Sequence, residues 1–329
     1  MKKLASLFFF SAVSALALSP ASAQTQDVDF ATFIAGIRAD GEKGGLKPGT
    51  LSVLDTVQPL DKVIELDHRQ PEFNISFPAY LKSVMKPERI RTGRKLIQQN
   101  RAMVNAVGKK YGVQPRFVVA LWAVESGYGQ SMGNYPVVAS LATLAWEGRR
   151  RSFFRNELMA ALSIIDSGDV PASQMVGSWA GAMGQCQFMP TTYLKYAQDW
   201  EGDGRRDIWR DRGDVLASAA NYLSQIGWKP DQSWGRNVRL PKALDHGLIG
   251  LDKTRTVKQW AALGVKSADG KPLPKSGIEA SLIVTDIEKG DGKGPAFLVY
   301  DNFRSIMTWN HSTFFALAVG NLADALGRR

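Results

Sequence analysis

Hydrophobic and polar positions follow two regimes along this chain. From about Pro78 to Gly227 the apolar residues return at helical spacing. They predict helices over Pro87–Tyr111, Pro115–Ser126, Arg151–Asp166, Pro190–Asp199 and Val215–Ile226. The first two open on a proline, which the first helical turn tolerates because its N–H has no intrahelical partner there. Asp214 precedes the last as a natural N-cap, and Gly227 lies just past its end. Upstream, Gln24–Asp61 mixes short helical runs with Gly-rich turns (GEKGGLKPG). Beyond Trp228 short β-type runs take over, at Val238–Leu240, Ser281–Val284 and Ala296–Tyr300, separated by Gly, Pro, Asp and Lys clusters. These predict a small β-rich lobe with one helix near Thr256–Leu263. A final helix over about Thr313–Leu326 returns to the main lobe. The expected fold class is mainly α with a small β-rich lobe, without internal repeats.

One carboxylate interrupts the apolar pattern at an informative place. The run Phe117–Val124 is nearly all apolar and reads as a buried helix; Glu125 ends it, and Gly127 and Gly129 stop the helix. Burial disfavours the charge of such a group, and a helix C-terminus is the wrong end of the macrodipole for an anion. A carboxyl kept protonated near neutral pH can donate its proton to a glycosidic oxygen. The alternative is a Glu that caps the exposed end of a core helix.

Composition narrows the setting. Lys2 and Lys3, the apolar stretch Leu4–Leu18 and Ala21-Ser22-Ala23 form a secretory signal over residues 1–23, with the mature chain expected from Gln24. The apolar stretch is short for a membrane span, and no Cys follows it, so a soluble periplasmic protein rather than a lipoprotein is expected. The formal charge is +10, and +8 once Lys2 and Lys3 are removed. That balance suits an anionic glycan or lipid surface, nucleic acid being a poor partner outside the cytoplasm. Cys186 is the only cysteine, which excludes an intrachain disulfide and a thiolate cluster; His68, His246 and His311 offer no zinc motif and no support for a His-dependent triad.

Two further stretches carry candidate chemistry. In Ser178–Pro190, SWAGAMGQCQFMP, the residues Ala180–Gly184 are small apart from Met183, so a ligand could approach the backbone closely. Gln187 adds donors and an acceptor, flanked by Phe188 and Met189, which suits a sugar with amide and apolar faces. Tight helix packing is the competing reading of the same small residues. In Asp199–Arg210, DWEGDGRRDIWR, acidic residues at Asp199, Glu201 and Asp203 followed by Gly204 match the first half of a calcium-binding EF-hand loop. Arg210 stands where the closing Glu would be, and Asp214 could close the site from its helix; a polar turn is the alternative.

Together these stretches resemble the lytic murein transglycosylases of the membrane-bound transglycosylase B type, glycoside hydrolase family 103. The resemblance rests on LDHRQPEF at Leu66–Phe73, the VESGYG turn, SWAGAMGQCQFMP, the acidic loop, ANYL at Ala220–Leu223 and NFRSIMTWNHS at Asn302–Ser312. It implies a three-lobed protein with a lysozyme-like helical core. The boundaries expected are 24–110 for an N-terminal helical lobe, 111–228 for the core, 229–305 for the β-rich lobe and 306–329 for the returning helix. It implies Glu125 as sole catalytic acid and base. It implies substrate-binding positions at Ser178, Gln187, Phe188, Met189, Tyr222, Arg149, Arg150, Trp309 and Asn310. It also implies a structural calcium site from Asp199, Glu201, Asp203, the Arg205 carbonyl and Asp214, with Glu201 replacing a smaller residue and one extra residue before Asp214. Trp309 and Phe315 stand where tyrosines are expected, and Cys186 reads as a small buried filler.

The reaction implied is cleavage of the β-1,4 bond between N-acetylmuramic acid and N-acetylglucosamine without water, leaving 1,6-anhydro ends and needing no cofactor. The expected partners are peptidoglycan strands, with a monomer expected and association with wall-synthesis proteins left open. The rivals are a lysozyme-like hydrolase of the same substrate and a non-catalytic, calcium-stabilised wall-binding protein.

Overall fold

Which helices form, and where they stop, follows from local chemistry that the computed structural model makes visible. It describes residues 28–69, 75–147, 149–285 and 294–328. The secretory segment 1–23 and the 70–73 part of LDHRQPEF lie outside the described residues. Among the described residues no helix is long and apolar enough to cross a membrane. These residues form two compact units, 28–69 with 121–222 and 75–120 with 223–328.

The first unit is helical. The helix Val137–Glu147 is apolar on every side and buried from Val137 to Ala145, as a helix without a polar face must be. Beside it runs Arg151–Ser167, which turns Phe154, Leu158, Ala161 and Leu162 inward and stops at Gly168 in the left-handed conformation (φ 85°). The helix Pro190–Tyr196 is shorter than the predicted Pro190–Asp199. Its start is held from outside: the buried Glu157 carboxylate accepts the Thr191 N–H at 2.9 Å and the Thr191 hydroxyl at 2.7 Å. Burial pushes the Glu157 carboxyl above its ordinary range.

Two sequence expectations are corrected by capping chemistry. The helix predicted from Val215 starts at Arg212 and runs to Gln225, so Asp214 lies inside the first turn and is not the N-cap. Asp211 takes that place, its Oδ1 accepting the N–H groups of Gly213 (2.7 Å) and Asp214 (3.1 Å). In the second unit, the single helix predicted over Pro87–Tyr111 is two, Pro87–Gln99 and Arg101–Tyr111. Asn100 breaks it, with φ −113°, ψ 28° and its side-chain amide donating back to the Leu96 carbonyl at 2.8 Å. Asparagine competes with the helix for backbone partners in this way.

One short antiparallel pair, Tyr135–Pro136 with Val176–Gly177, lies in the first unit, while the second carries the larger sheet. Five antiparallel strands lie in the order Thr254–Thr256, Glu279–Val284, Ala296–Val299, Gly235–Arg239 and Lys266–Ser267. The runs predicted around Val238, Ser281 and Ala296 form the three inner strands, while the two polar edge strands carried no apolar signal. The predicted helix is Val257–Ala262, opened by a capping box in which Thr256 Oγ1 accepts the Gln259 N–H and Gln259 Oε1 accepts the Thr256 N–H. Behind the sheet, Trp260, Val257, Leu282, Leu298 and Tyr300 form an apolar core with Val238, Leu244 and Leu273. The last helix, Thr313–Gly327, packs on Phe77–Val84 and Pro87–Gln99, with Phe314 edge-on to Phe77 at 5.2 Å. The molecule is thus mainly α with a small sheet, as expected.

Candidate active site

The helix Pro115–Ser126 forms over the predicted range, and Glu125 stands in its last turn, half-buried. The chain leaves this helix through three successive residues with positive φ: Gly127 (58°), Tyr128 (64°) and Gly129 (84°). For the two glycines this costs little. For Tyr128 it is a strained conformation of the kind that the surrounding structure must enforce. The Tyr128 ring packs edge-on against Trp122 at 5.4 Å.

The small-residue segment belongs to the same unit and folds into a series of tight turns. Gly177 and Ala180–Cys186 are buried. Ser178 is buried too: its N–H donates to the Ala182 carbonyl at 2.8 Å and its Oγ accepts the Ala182 N–H at 3.0 Å, so it closes the loop on itself. Gln187 is the second non-glycine residue with positive φ (51°). It is half-buried, and its Nε2 donates to the carbonyls of Gly184 (2.8 Å) and Met132 (3.1 Å). Phe188 is buried and Met189 half-buried. The Tyr222 ring lies 4.5 Å from Tyr196 and 5.8 Å from Phe188. Burial, with Tyr196 beside it, pushes the Tyr222 hydroxyl up to about 12, which keeps it a neutral hydrogen-bonding group. Cys186 is a buried thiol, 3.3 Å from the Val215 carbonyl; burial and the Glu125 and Asp214 carboxylates raise it far above the range of a nucleophile.

Arg149 and Arg150 converge on one buried carboxylate. Asp67 faces Arg149 Nε at 3.4 Å and Arg150 at 3.2 Å, and Arg150 also stacks over the Phe154 ring at 4.7 Å. Trp309 and Asn310 belong to the second unit, at the end of the helix Asp301–Trp309. Trp309 is half-buried; Asn310 is buried and its Oδ1 accepts the Ser312 N–H at 3.0 Å.

The acidic loop is organised by its own backbone. Asp199 accepts the N–H groups of Gly202, Asp203 and Gly204, and Asp203 accepts that of Arg205. Asp214 takes the N–H groups of Trp200 at 2.7 Å and Asp207 at 2.6 Å. The carboxylates brought together within 4.8 Å of one another are those of Glu201, Asp211 and Asp214. Partial burial, and then the charges of Asp211 and Asp214, push Glu201 up to about 7; burial, and then Asp211 and Asp199, push Asp214 up to about 6.

The transglycosylase SLT domain matches residues 29–324. The chain belongs to this family of lytic murein transglycosylases. This transglycosylase is 34% identical over 289 residues to membrane-bound lytic murein transglycosylase B of Escherichia coli (strain K12), across 83% of this chain and 76% of the relative. SltB3 from Pseudomonas aeruginosa, solved in complex with NAG-NAM-pentapeptide and with NAG-anhNAM-pentapeptide, is 46% identical with a TM-score of 0.86, covering 91% of this chain and 79% of SltB3. Slt35 of Escherichia coli, solved in complex with calcium, is 30% identical with a TM-score of 0.75, covering 90% and 92% of the two chains.

Three residues of the transglycosylase that shape these places were not singled out in the sequence. Asp67 lies in the quoted LDHRQPEF stretch, but only folding brings it to Arg149 and Arg150, more than eighty positions away. Asp211 follows Arg210 and reads as an ordinary polar turn residue. Gln185 lies among small residues two positions before Gln187, and nothing in the local pattern distinguishes it.

Proposed function

We propose that this transglycosylase cleaves the β-1,4 bond between N-acetylmuramic acid and N-acetylglucosamine with Glu125 as its one acid and base. The observation that carries the reading is a half-buried carboxylate on the last turn of an apolar helix, followed by an enforced left-handed turn. Glu125 protonates the leaving glycosidic oxygen. The substrate's own N-acetyl oxygen stabilises C1 in place of the second carboxylate of ordinary glycosidases. Glu125, now a base, takes the proton of the muramyl O6 hydroxyl as O6 bonds to C1, giving a 1,6-anhydro end with no water consumed. The attack is intramolecular and gains from high effective concentration. SltB3, solved in complex with NAG-anhNAM-pentapeptide, supports this product. Gln187, Ser178 and Tyr222 serve as polar clamps, with Phe188 and Met189 as apolar walls. Arg149 and Arg150 extend the glycan contacts in the first unit; Trp309 and Asn310 are separate glycan-binding candidates in the second.

Calcium fits the acidic loop as a structural ion. Three carboxylates within 4.8 Å, two of them with raised proton affinity, form a hard oxygen cluster whose mutual repulsion a divalent cation relieves. Glu201 and Asp214 would hold it, with Asp211 beside them and with Asp199, Asp203 and the Arg205 carbonyl from the loop. The ion would supply charge neutralisation and loop order, and no step of the chemistry. Slt35, solved in complex with calcium, supports the assignment. Export as a soluble periplasmic monomer acting on glycan strands completes the reading, resting on the Lys2–Ala23 segment and the basic charge.

Mass spectrometry of digested peptidoglycan tests the reaction. Muropeptides ending in 1,6-anhydro-N-acetylmuramic acid are expected; reducing ends from the wild-type enzyme would leave a lysozyme-like hydrolase instead. Glu125→Gln keeps the shape of the side chain without the proton transfer and is expected to lower turnover by about 10²–10⁴-fold or more with unchanged melting.

A further inference from the structure

Gln185 ties the helix that carries Glu125 to the segment that carries Gln187. Its side-chain Oε1 accepts the indole N–H of Trp122 at 2.7 Å, and its backbone carbonyl accepts the Ser126 hydroxyl at 2.8 Å. Trp122 and Ser126 flank Glu125 on the last turn of its helix, three residues before it and one after. On the other side, Gln185 Nε2 donates to the Trp209 carbonyl at 2.8 Å and its backbone N–H to the Ile208 carbonyl at 2.8 Å. The orientation of the amide is determined, because an indole N–H can only donate and a carbonyl oxygen can only accept. The chain of bonds continues into the left-handed turn, where Ser126 Oγ accepts the Gly129 N–H at 3.1 Å. A Cβ at Gly129 would collide with the Gln185 amide, so the turn closes directly onto it. Gln185, Ser126 and Trp122 are all buried.

This arrangement answers a specific difficulty. The last turn of a helix has carbonyls without intrahelical partners and is the part that frays. Here the Trp122 and Ala123 carbonyls accept the Tyr128 N–H at 3.2 Å and the Gly127 N–H at 3.0 Å, so the turn closes the backbone. The side chains of the last turn are left to be fixed from outside the helix, and a displacement of a general acid there by about 1 Å can cost about 10²-fold in rate. We propose that Gln185 is the positioning residue of this site: by bonding to Trp122 and Ser126 on either side of Glu125, it holds that carboxylate in place against the Gln187 segment. The inference rests on Glu125 as the acid. Gln185 itself touches no substrate. It acts on the chemical step through the placement of Glu125, and not on glycan binding.

Gln185→Met tests it, since methionine preserves size and removes both side-chain hydrogen bonds. The expected result is a fall in kcat of about 10–10²-fold with KM within about 2-fold of wild type on the same peptidoglycan substrate. Trp122→Phe removes the shared bond from its other end and should lower kcat in the same way. The double variant should lose no more than the worse single one, because both remove one interaction. Glu125→Gln is measured alongside. If it is inactive while Gln185→Met and Trp122→Phe keep kcat within about 2-fold of wild type, the positioning role is overturned and the acid stands. A rise in KM with kcat unchanged, or losses that add fully in the double variant, also overturns it. If Gln185→Met does not fold, Trp122→Phe decides by the same split of kcat against KM. Wild-type turnover in Glu125→Gln would remove the acid and the inference together.

Discussion

The end of the Glu125 helix and the core behind the five-stranded sheet solve the problem of burial in opposite ways. Around Glu125 the buried contacts are directional: Trp122, Ser126 and Gln185 are joined by hydrogen bonds of 2.7 and 2.8 Å, and two non-glycine residues nearby hold positive φ. Behind the sheet the buried contacts are apolar, and Trp260, at their centre, donates its indole N–H to the Ala280 carbonyl at 2.9 Å. Apolar packing depends on volume and tolerates a change of shape. A hydrogen-bonded network fixes angles and tolerates the loss of a partner poorly. The end of the Glu125 helix, the proposed place of the chemistry, uses the second material, and the sheet core uses the first.

The largest effect that would sharpen this contrast is Trp260→Ala. Emptying the centre of the sheet core should cost about 3–5 kcal/mol, read as a lower denaturation midpoint. A loss well below that range would mean that the core is less dependent on volume than its burial implies. Calcium comes next. At about 100-fold excess over its dissociation constant an ion bound only by the folded state stabilises by roughly 2.7 kcal/mol, so melting should rise with calcium and fall with chelator. Asp203→Ala should blunt that response, and identical melting in all conditions would reduce the loop to a polar turn.

Asp169 offers a directional contact outside the site. Burial would raise its carboxyl, but the hydrogen bonds from Arg206 and Ser167 and the Arg206 charge outweigh it and hold the group below its ordinary 3.8. A lowered folded-state value means that the contribution is complete above about pH 4 and fades as pH falls through that value. Asp169→Asn should therefore cost about 2 kcal/mol near neutral pH, with the gap to wild type closing as pH falls below about 4. A gap independent of pH would assign the loss to packing. The smallest effect belongs to Leu282→Met in the sheet core, a volume-conserving exchange expected to cost under about 1.5 kcal/mol. A larger loss would show that the apolar core, too, is specified by shape.

Much of this was legible in the sequence because it is local. The helix Pro115–Ser126 carries its own start, apolar run and glycine stop, and Glu125 stands out because the residues before it are apolar. The inner strands Glu279–Val284 and Ala296–Val299 announce themselves as short apolar runs between turn residues. The break at Asn100 was hidden because the apolar spacing continues across it, while the side-chain bond to Leu96 that ends the first helix has no periodic signature. The same holds for the start of the helix Arg212–Gln225, where two aspartates compete for the cap and geometry chose Asp211 over Asp214.

By itself the sequence determined the mainly helical fold class, the family, the carboxylate at the end of an apolar helix and the acidic loop, because each is written in neighbouring residues. Tertiary structure alone decided that Asp67 faces Arg149 and Arg150, that Asp211 joins Glu201 and Asp214, and that Gln185 grips the helix on both sides of Glu125. A hydrogen bond or ion pair acts over a few ångströms of space whatever the separation along the chain. Its partners therefore leave no periodic trace in the sequence, and only the folded backbone selects them.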